Sequence, residues 1–306
     1  MALRNLVVGW RAAHSEALGR QGTDGMHWLP WLDSKQAALV RKRIDATVAQ
    51  EICHRHWGAH APGPSPGGIP RLYIMDIRGL LLASGVLRYT LAPFGTSVFY
   101  RGQSKDWVAQ VSLMRGTSSR AETKARLKWL DQSLAAVAKV FDPAGTPDAR
   151  EALLQHYGLP TRWLDVVDNI QTAAWFAHHQ RAISADAPGA RDDASGYIAA
   201  IACPSNGVKF AQAFDLRAKP SEWLRPHVQQ AWAVRSLSAA TRLGRLEHLQ
   251  VATFIVPRTL LRLWSSYDVI GPEVMFPRER EDKGMYYWRR ACEVLEANKL
   301  WPAPWA

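Results

Sequence analysis

The sequence predicts an α+β protein. Three observations lead there: amphipathic helical segments several turns long, short apolar runs rich in β-branched and aromatic residues between them, and no regular strand–helix–strand rhythm or internal repeat. The expected arrangement is small mixed sheets with flanking helices. A mainly helical N-terminal extension is expected over residues 1–94, with the α+β domain at 95–306.

The elements follow in order. Residues 1–57 read as helical. Ser34 is the expected cap of a helix whose apolar positions Val40, Ile44, Val48 and Ile52 recur every four residues. Residues 58–70 (GAHAPGPSPGGIP) hold four prolines and four glycines, through which no helix continues. Arg71 opens a strand that runs to Met75, and an apolar segment extends to Pro93. The stretch 97–102 reads as a short buried strand ending at Gly102. Residues 121–141 form the clearest amphipathic helix, with Leu127, Leu130, Leu134, Val137 and Phe141 on one face. Thr146 caps the next helix with Pro147 at its first position, and Gly158 can close it in a left-handed conformation. Residues 161–167 are extended, Asn169 caps a helix through Ala177, and 184–195 is a polar surface loop. Strands are expected at 197–203, 229–234 and 251–256, a short helix at 243–249 and a helical tail at 278–298.

Lys+Arg outnumber Asp+Glu by 38 to 27, for a net charge of +11. The excess is spread as +5 over 1–95, +3 over 96–185 and +3 over 186–306, so it permits an acidic partner without marking a basic tail. Arg41-Lys42-Arg43 is the densest cluster and reads as a solvated helix face, with a phosphate-facing helix as the alternative. No apolar run approaches the ~18 residues of a membrane span. The apolar stretch before Arg11 is too short for a secretory leader. Three scattered cysteines, at 53, 203 and 292, make no disulfide framework and point to a reducing, cytoplasmic setting. There is neither a Gly-x-Ser-x-Gly elbow nor a P-loop. Cys53, His54, His56 and His60 lie close together, but Gly58 interrupts them and no second ligand pair is evident, so no metal is expected.

Two segments carry candidate chemistry. In Phe99-Tyr100-Arg101-Gly102-Gln103-Ser104, an arginine at the end of an apolar strand can hook an anion, and the glycine lets a ligand approach the backbone. The alternative is an arginine in a salt bridge. In the stretch 155–165 (QHYGLPTRWLD), His156, Arg162 and Asp165 can form a linked polar set; the alternative is a buried Arg162–Asp165 pair pinning the loop.

These segments resemble the FRG domain family, named for a Phe-Arg-Gly motif. Tyr100-Arg101-Gly102-Gln103-Ser104 fits the naming motif with Tyr for Phe, and 155–165 with the following NIQTAAWFA at 169–177 is very like the family's central motif. Arg225-x-x-x-Gln229-Gln230-Ala231 and Met275-Phe276-Pro277 resemble two later elements, so the resemblance spans about 95–280. More distantly, the order of elements is similar to that of ADP-ribosyltransferases. That likeness implies NAD as substrate, with Tyr100, Arg101, Gly102, Thr161 and Arg162 as nucleotide-binding residues. It implies a hydrogen bond from His156 and a carboxylate from Asp165 near the ribose, and Gln229 on a ribose hydroxyl. Cleaving nicotinamide from NAD passes through an oxocarbenium-like ribose.

The departures are specific. Val166-Val167 stands where the family has Trp-Thr, Ile170 where it has Pro and Ala231 where it has Gly. Gln229 cannot act as a base, which leaves Glu222 and Glu273 as unassigned carboxylates. The expected function is an NAD-dependent ADP-ribosyltransferase-like activity, as in a toxin or defence effector with a protein or nucleic-acid acceptor. The alternatives are a non-catalytic nucleotide- or nucleic-acid-binding module, and a scaffold whose N-terminal part binds protein. Trp163, Trp175 and Trp232 are expected to pack around the site.

Overall fold

The structure is a computed structural model, and it describes residues 29, 31–47, 59–60, 69–141, 145–179, 195–205, 210–237, 244–266 and 271–303. Its helices are α1 Ser34–Thr47, α2 Ile77–Leu91, α3 Arg120–Val137, α4 Pro147–Tyr157, α5 Ile170–His179, α6 Leu224–Val228, α7 Arg258–Ser266, α8 Pro272–Met275 and α9 Lys283–Ala297. Its strands are β1 Ala59–His60, β2 Arg71–Ile74, β3 Thr96–Gln103, β4 Leu164–Val167, β5 Ser195–Pro204, β6 Ala211–Asp215, β7 Ala231–Ser236 and β8 Gln250–Pro257. The fold is α+β, as the sequence predicts. No helix among the described residues is long and apolar enough to cross a membrane.

Several caps follow the sequence reading. Thr146 Oγ1 accepts the Ala149 N–H at 3.3 Å, Gly158 follows α4 at φ 120°, and Asn169 Oδ1 accepts the Gln171 N–H at 2.7 Å. Others differ. The cap of α1 is Asp33 rather than Ser34: its carboxylate accepts the Gln36 N–H at 2.8 Å, and Gln36 Oε1 accepts the Asp33 N–H at 3.1 Å. This reciprocal box satisfies two amide donors at once. Strand β7 starts after Gln229, because the Gln229 N–H bonds back to the Arg225 carbonyl and Gln230 turns the chain at φ 50°. The stretch 243–249 yields a 3-10 turn at Glu247–Leu249. In α3 the buried face is Arg126, Trp129, Leu130, Ser133 and Val137, while Leu127 and Leu134 are half-buried. Arg126 goes inside because its guanidinium bonds the carbonyls of Leu113 and Arg115 and the Glu122 carboxylate. Val48, Ile52, Cys53, His54, His56, Trp10, Trp28, Trp57 and the polar loop 184–194 lie outside the described residues.

The chain folds into two compact units, each drawn from three stretches: 1–107, 169–210 and 247–269 in the first; 108–168, 211–246 and 270–306 in the second. In the first unit the strands run in the order β1-β2-β8-β5-β3, with β2–β8 parallel and the other pairs antiparallel. Its core is the β5–β8 interior, where Ile198, Ala200, Ala202, Ala252, Phe254 and Val256 have no exposed surface. His248 is buried beside this core, and its carbonyl accepts the Leu29 N–H at 3.0 Å. Burial pushes the His248 pKa down to about 4. The unfolded chain takes up a proton near pH 6.5, but the native state does so only near pH 4. Stability is therefore full above pH 6.5 and falls as pH drops through that window, by about 3 kcal/mol in all. Urea unfolding at pH 7.5 and pH 4.5 measures the loss, and His248→Phe is expected to flatten most of it.

In the second unit β4, β7 and β6 form an antiparallel sheet with β7 in the middle. Its helical part closes around an aromatic cluster in which Trp223 stacks on Tyr287 at 5.3 Å and meets Phe141 and Tyr157 edge-on at 5.6 and 6.0 Å. Asp282, with no exposed surface, lies beside this cluster. Its carboxylate accepts the Tyr157 hydroxyl at 2.9 and 3.0 Å, the Leu224 N–H at 3.0 Å and the Gly284 N–H at 3.1 Å. Burial, and the Asp282 charge beside it, drive the Tyr157 pKa far above its ordinary value.

Candidate functional site

The residues with candidate chemistry fall into two groups, one in each unit. In the first unit they lie on β3. Tyr100 is fully buried, and its hydroxyl shares a 2.6 Å hydrogen bond with Ser84 of α2 while Arg88 sits over its ring at 5.4 Å. Burial raises its pKa, with the Ser84 hydrogen bond opposing. Alternation along the strand puts Arg101, half-buried, on the face opposite Tyr100 and Gly102. Gly102 packs against α5. A Cβ there would collide with the Ala173 carbonyl oxygen and lie 2.5 Å from the Ala177 nitrogen and 2.9 Å from Phe176 Cβ. The close backbone approach that the sequence reading reserves for a ligand is thus made by a helix. Trp175 also belongs to this unit, where it stacks on His179 at 4.1 Å.

In the second unit the end of α4, the turn after it and β4 bring a polar cluster together. Gln155 is its centre. Its amide nitrogen donates to Asp165 Oδ2 at 2.7 Å, and its carbonyl oxygen accepts from the Ser112 hydroxyl at 2.8 Å and the Thr161 hydroxyl at 3.1 Å. Ser112 Oγ also accepts the Thr161 N–H at 3.2 Å, and Thr161 Oγ1 the Trp163 N–H at 3.2 Å. His156, the next residue, directs Nδ1 at Asp165 Oδ1 across 3.8 Å, beyond a direct hydrogen bond but within reach of an ion pair. The His156 side chain is 4% exposed, and its Nε2 has no hydrogen-bond partner among the described residues.

Two arginines bear on the Asp165 carboxylate. The protein around the Arg115 guanidinium lowers its pKa, with attraction to Asp165 opposing. Burial lowers that of Arg225, with attraction to Tyr157, Asp282 and Asp165 opposing. Arg225 lies over the rings of Tyr157 and Phe276 at 4.9 and 5.4 Å. Gln229 donates its amide to the Met275 carbonyl at 2.5 Å. The sequence elements at 155–157, 225–229 and 275–276, far apart in the chain, therefore meet in one place.

Residues 96–186 match the FRG domain. Neither curated proteins nor solved structures give a match to the chain. The FRG match takes in the Tyr100-Arg101-Gly102 strand and the central motif, and ends before Arg225 and Met275.

Within the segment that matches the FRG domain, Arg162 takes a partner the sequence reading did not anticipate. Its backbone N–H, Nε and Nη2 all donate to Glu151, at 2.9, 3.1 and 2.5 Å. An Arg162–Asp165 pair is replaced because Glu151 is 1% exposed and needs a cation in place. That hydrogen bonding raises the Arg162 pKa, and the side chain keeps 41% exposure. Of the unassigned carboxylates, Glu222 pairs with Lys283 at the surface at 2.9 Å and Glu273 is exposed on α8. Trp163 is buried beneath Arg235, whose guanidinium lies 4.5 Å from its ring, and Trp232 donates to Asp168 at 3.1 Å. Sequence reasoning missed Ser112 and Arg115, which stand in a connection without periodic signal. Gln155 and Arg225 stand in the motifs, where the sequence gives them no task.

Chemically, the cluster offers a carboxylate with one oxygen anchored and the other turned to an imidazole, with two cations within electrostatic reach. A carboxylate so held stabilises a positive charge without reorganising, and hydroxyls of a sugar match its hydrogen-bonding pattern.

Proposed function

We propose that the second-unit cluster is a nucleotide site and that the protein acts on NAD in the manner of an ADP-ribosyltransferase. The observation that carries this reading is the anchoring of Asp165 by Gln155, itself fixed by two hydroxyls, with His156 alongside. In the reaction the bond between ribose C1 and the nicotinamide nitrogen breaks, and its electron pair leaves on neutral nicotinamide. The positive charge left on the ribose faces Asp165. An acceptor hydroxyl, amine or water adds at C1 and gives up its proton, which Asp165 or His156 can take. The pyrophosphate role of Tyr100, Arg101 and Gly102 belongs to the family resemblance alone; these residues lie in the first unit and form no part of this reading. Gln229 supports the Met275–Phe276 segment here, since its amide is committed to the Met275 carbonyl and the residue is 3% exposed.

Incubating the protein with labelled NAD and cell lysate tests the reading. Nicotinamide release is expected, reduced about 100-fold or more by Asp165→Asn and by less in His156→Ala. Absence of both nicotinamide release and labelled acceptor at high protein concentration overturns it. The locked Gln229 amide and the missing hydroxyl at Val167 favour one second reading, a nucleotide-binding module without turnover. It predicts that NAD raises the melting temperature, by about 2.7 kcal/mol of stabilisation at a hundredfold excess over Kd, with no nicotinamide released.

A further inference from the structure

We propose that Arg225, assisted by Arg115, is a phosphate-binding residue of this site and that its ligand is a nucleotide diphosphate. The inference rests on reading the second-unit cluster as a nucleotide site, and it starts from an unusual arginine. Arg225 is half-buried between two aromatic rings, yet its one hydrogen bond is a weak one, from Nη2 to the Met285 sulfur at 2.8 Å. Its Nε is buried and has no partner among the described residues. No oxygen among the described residues accepts from its guanidinium.

Three other arginines of the same unit are different. Arg126 donates to two carbonyls and a carboxylate, Arg162 to Glu151 through both Nε and Nη2, and Arg235 to Asp148 and Gln212. Asp282 lies within electrostatic reach of Arg225 but does not bond it, because its oxygens already serve Tyr157, Leu224 and Gly284. A desolvated guanidinium keeps its full demand for acceptors, and a phosphate meets that demand with two parallel N–H···O bonds.

The neighbours fit the same ligand. Arg115, an exposed residue, is attracted to Asp165 as Arg225 is. His156 brings the orphaned Nε2. Two arginine forks suit the two phosphates of a diphosphate, and Asp165 with His156 suits the adjoining sugar. The rings of Tyr157 and Phe276 hold the Arg225 plane in one orientation before any ligand arrives, which limits the entropy lost on binding.

The experiment uses the full chain, with inorganic pyrophosphate and ADP-ribose as probes in calorimetric titrations. The variants are Arg225→Lys, Arg225→Ala and Arg115→Ala, with Arg289→Ala as a surface control. Arg225→Lys keeps the charge and loses the fork, and each variant's unliganded melting temperature reports whether it folds. The inference expects both probes to bind, about tenfold or more weaker in Arg225→Lys, less weakened in Arg115→Ala and unchanged in Arg289→Ala. Equal affinity in wild type and Arg225→Lys overturns it, and so does failure of both probes to bind the folded wild type. Arg225-dependent binding of a single-stranded oligonucleotide without pyrophosphate binding also overturns it, in favour of a nucleic-acid ligand. Nicotinamide release with an unchanged KM in Arg225→Lys sinks this inference and leaves the NAD reading standing. Arg225-dependent probe binding without nicotinamide release does the reverse.

Discussion

Gly102→Ala is expected to destabilise the protein by about 3 kcal/mol or more, seen as a lower urea midpoint at unchanged slope. The added methyl would meet the Ala173 carbonyl oxygen, the Ala177 nitrogen and Phe176 Cβ. Two of these are backbone atoms that cannot rotate aside, so β3 and α5 would have to move apart. Gly196 on β5 repeats the device against the Ala177 carbonyl at 3.0 Å. A helix laid this close on a sheet needs small residues on both surfaces, and α5 supplies them in Ala173 and Ala177. A loss below about 0.5 kcal/mol would show that the helix yields easily and that Gly102 has another purpose.

Asp282→Ala is the second large effect, about 3–5 kcal/mol, measured by the same unfolding titration. The substitution strands the Tyr157 hydroxyl and the Leu224 and Gly284 amides in a dry aromatic setting. It also removes the first-turn cap of α9 and leaves the Arg225 charge with less compensation. Asp282→Asn keeps the acceptor oxygen for some of these donors and is expected to lose roughly half as much. Because Tyr157 and Arg225 border the candidate site, the Asn variant is also expected to weaken nucleotide binding while still folded.

Much of this architecture was legible in the sequence, for identifiable reasons. Thr146, Gly158 and Asn169 act through local backbone geometry, which a few adjacent residues determine, and they cap as read. Strand β6, with the sequence AQAFD, shows no clear alternation of burial, and no local signal marked it. Its existence depends on pairing with β7, a contact made at a distance along the chain. The same distinction explains the site. Asp165 and His156 were visible because they share one motif. Their supports, Ser112 and Arg115, are brought in by tertiary folding and carry no local signature. For Arg162 the sequence offers Asp165 as one possible partner, and the fold pairs it with Glu151, fourteen residues before Asp165, a choice no local pattern marks.

The way the strands pair also separates heredity from foldability. The FRG match at 96–186 contains β3 and β4, but β3 is paired along its whole length with β5, and β4 with β7. Both partners begin after residue 194. Cut out alone, the matched segment would carry two strands with those hydrogen bonds unmade and the aromatic cluster without Trp223 and Tyr287. The stretch that is recognisable as a pattern is therefore not a module that can be moved, excised or fused by its own borders. Any transplant of the site must bring the chain through α9 with it.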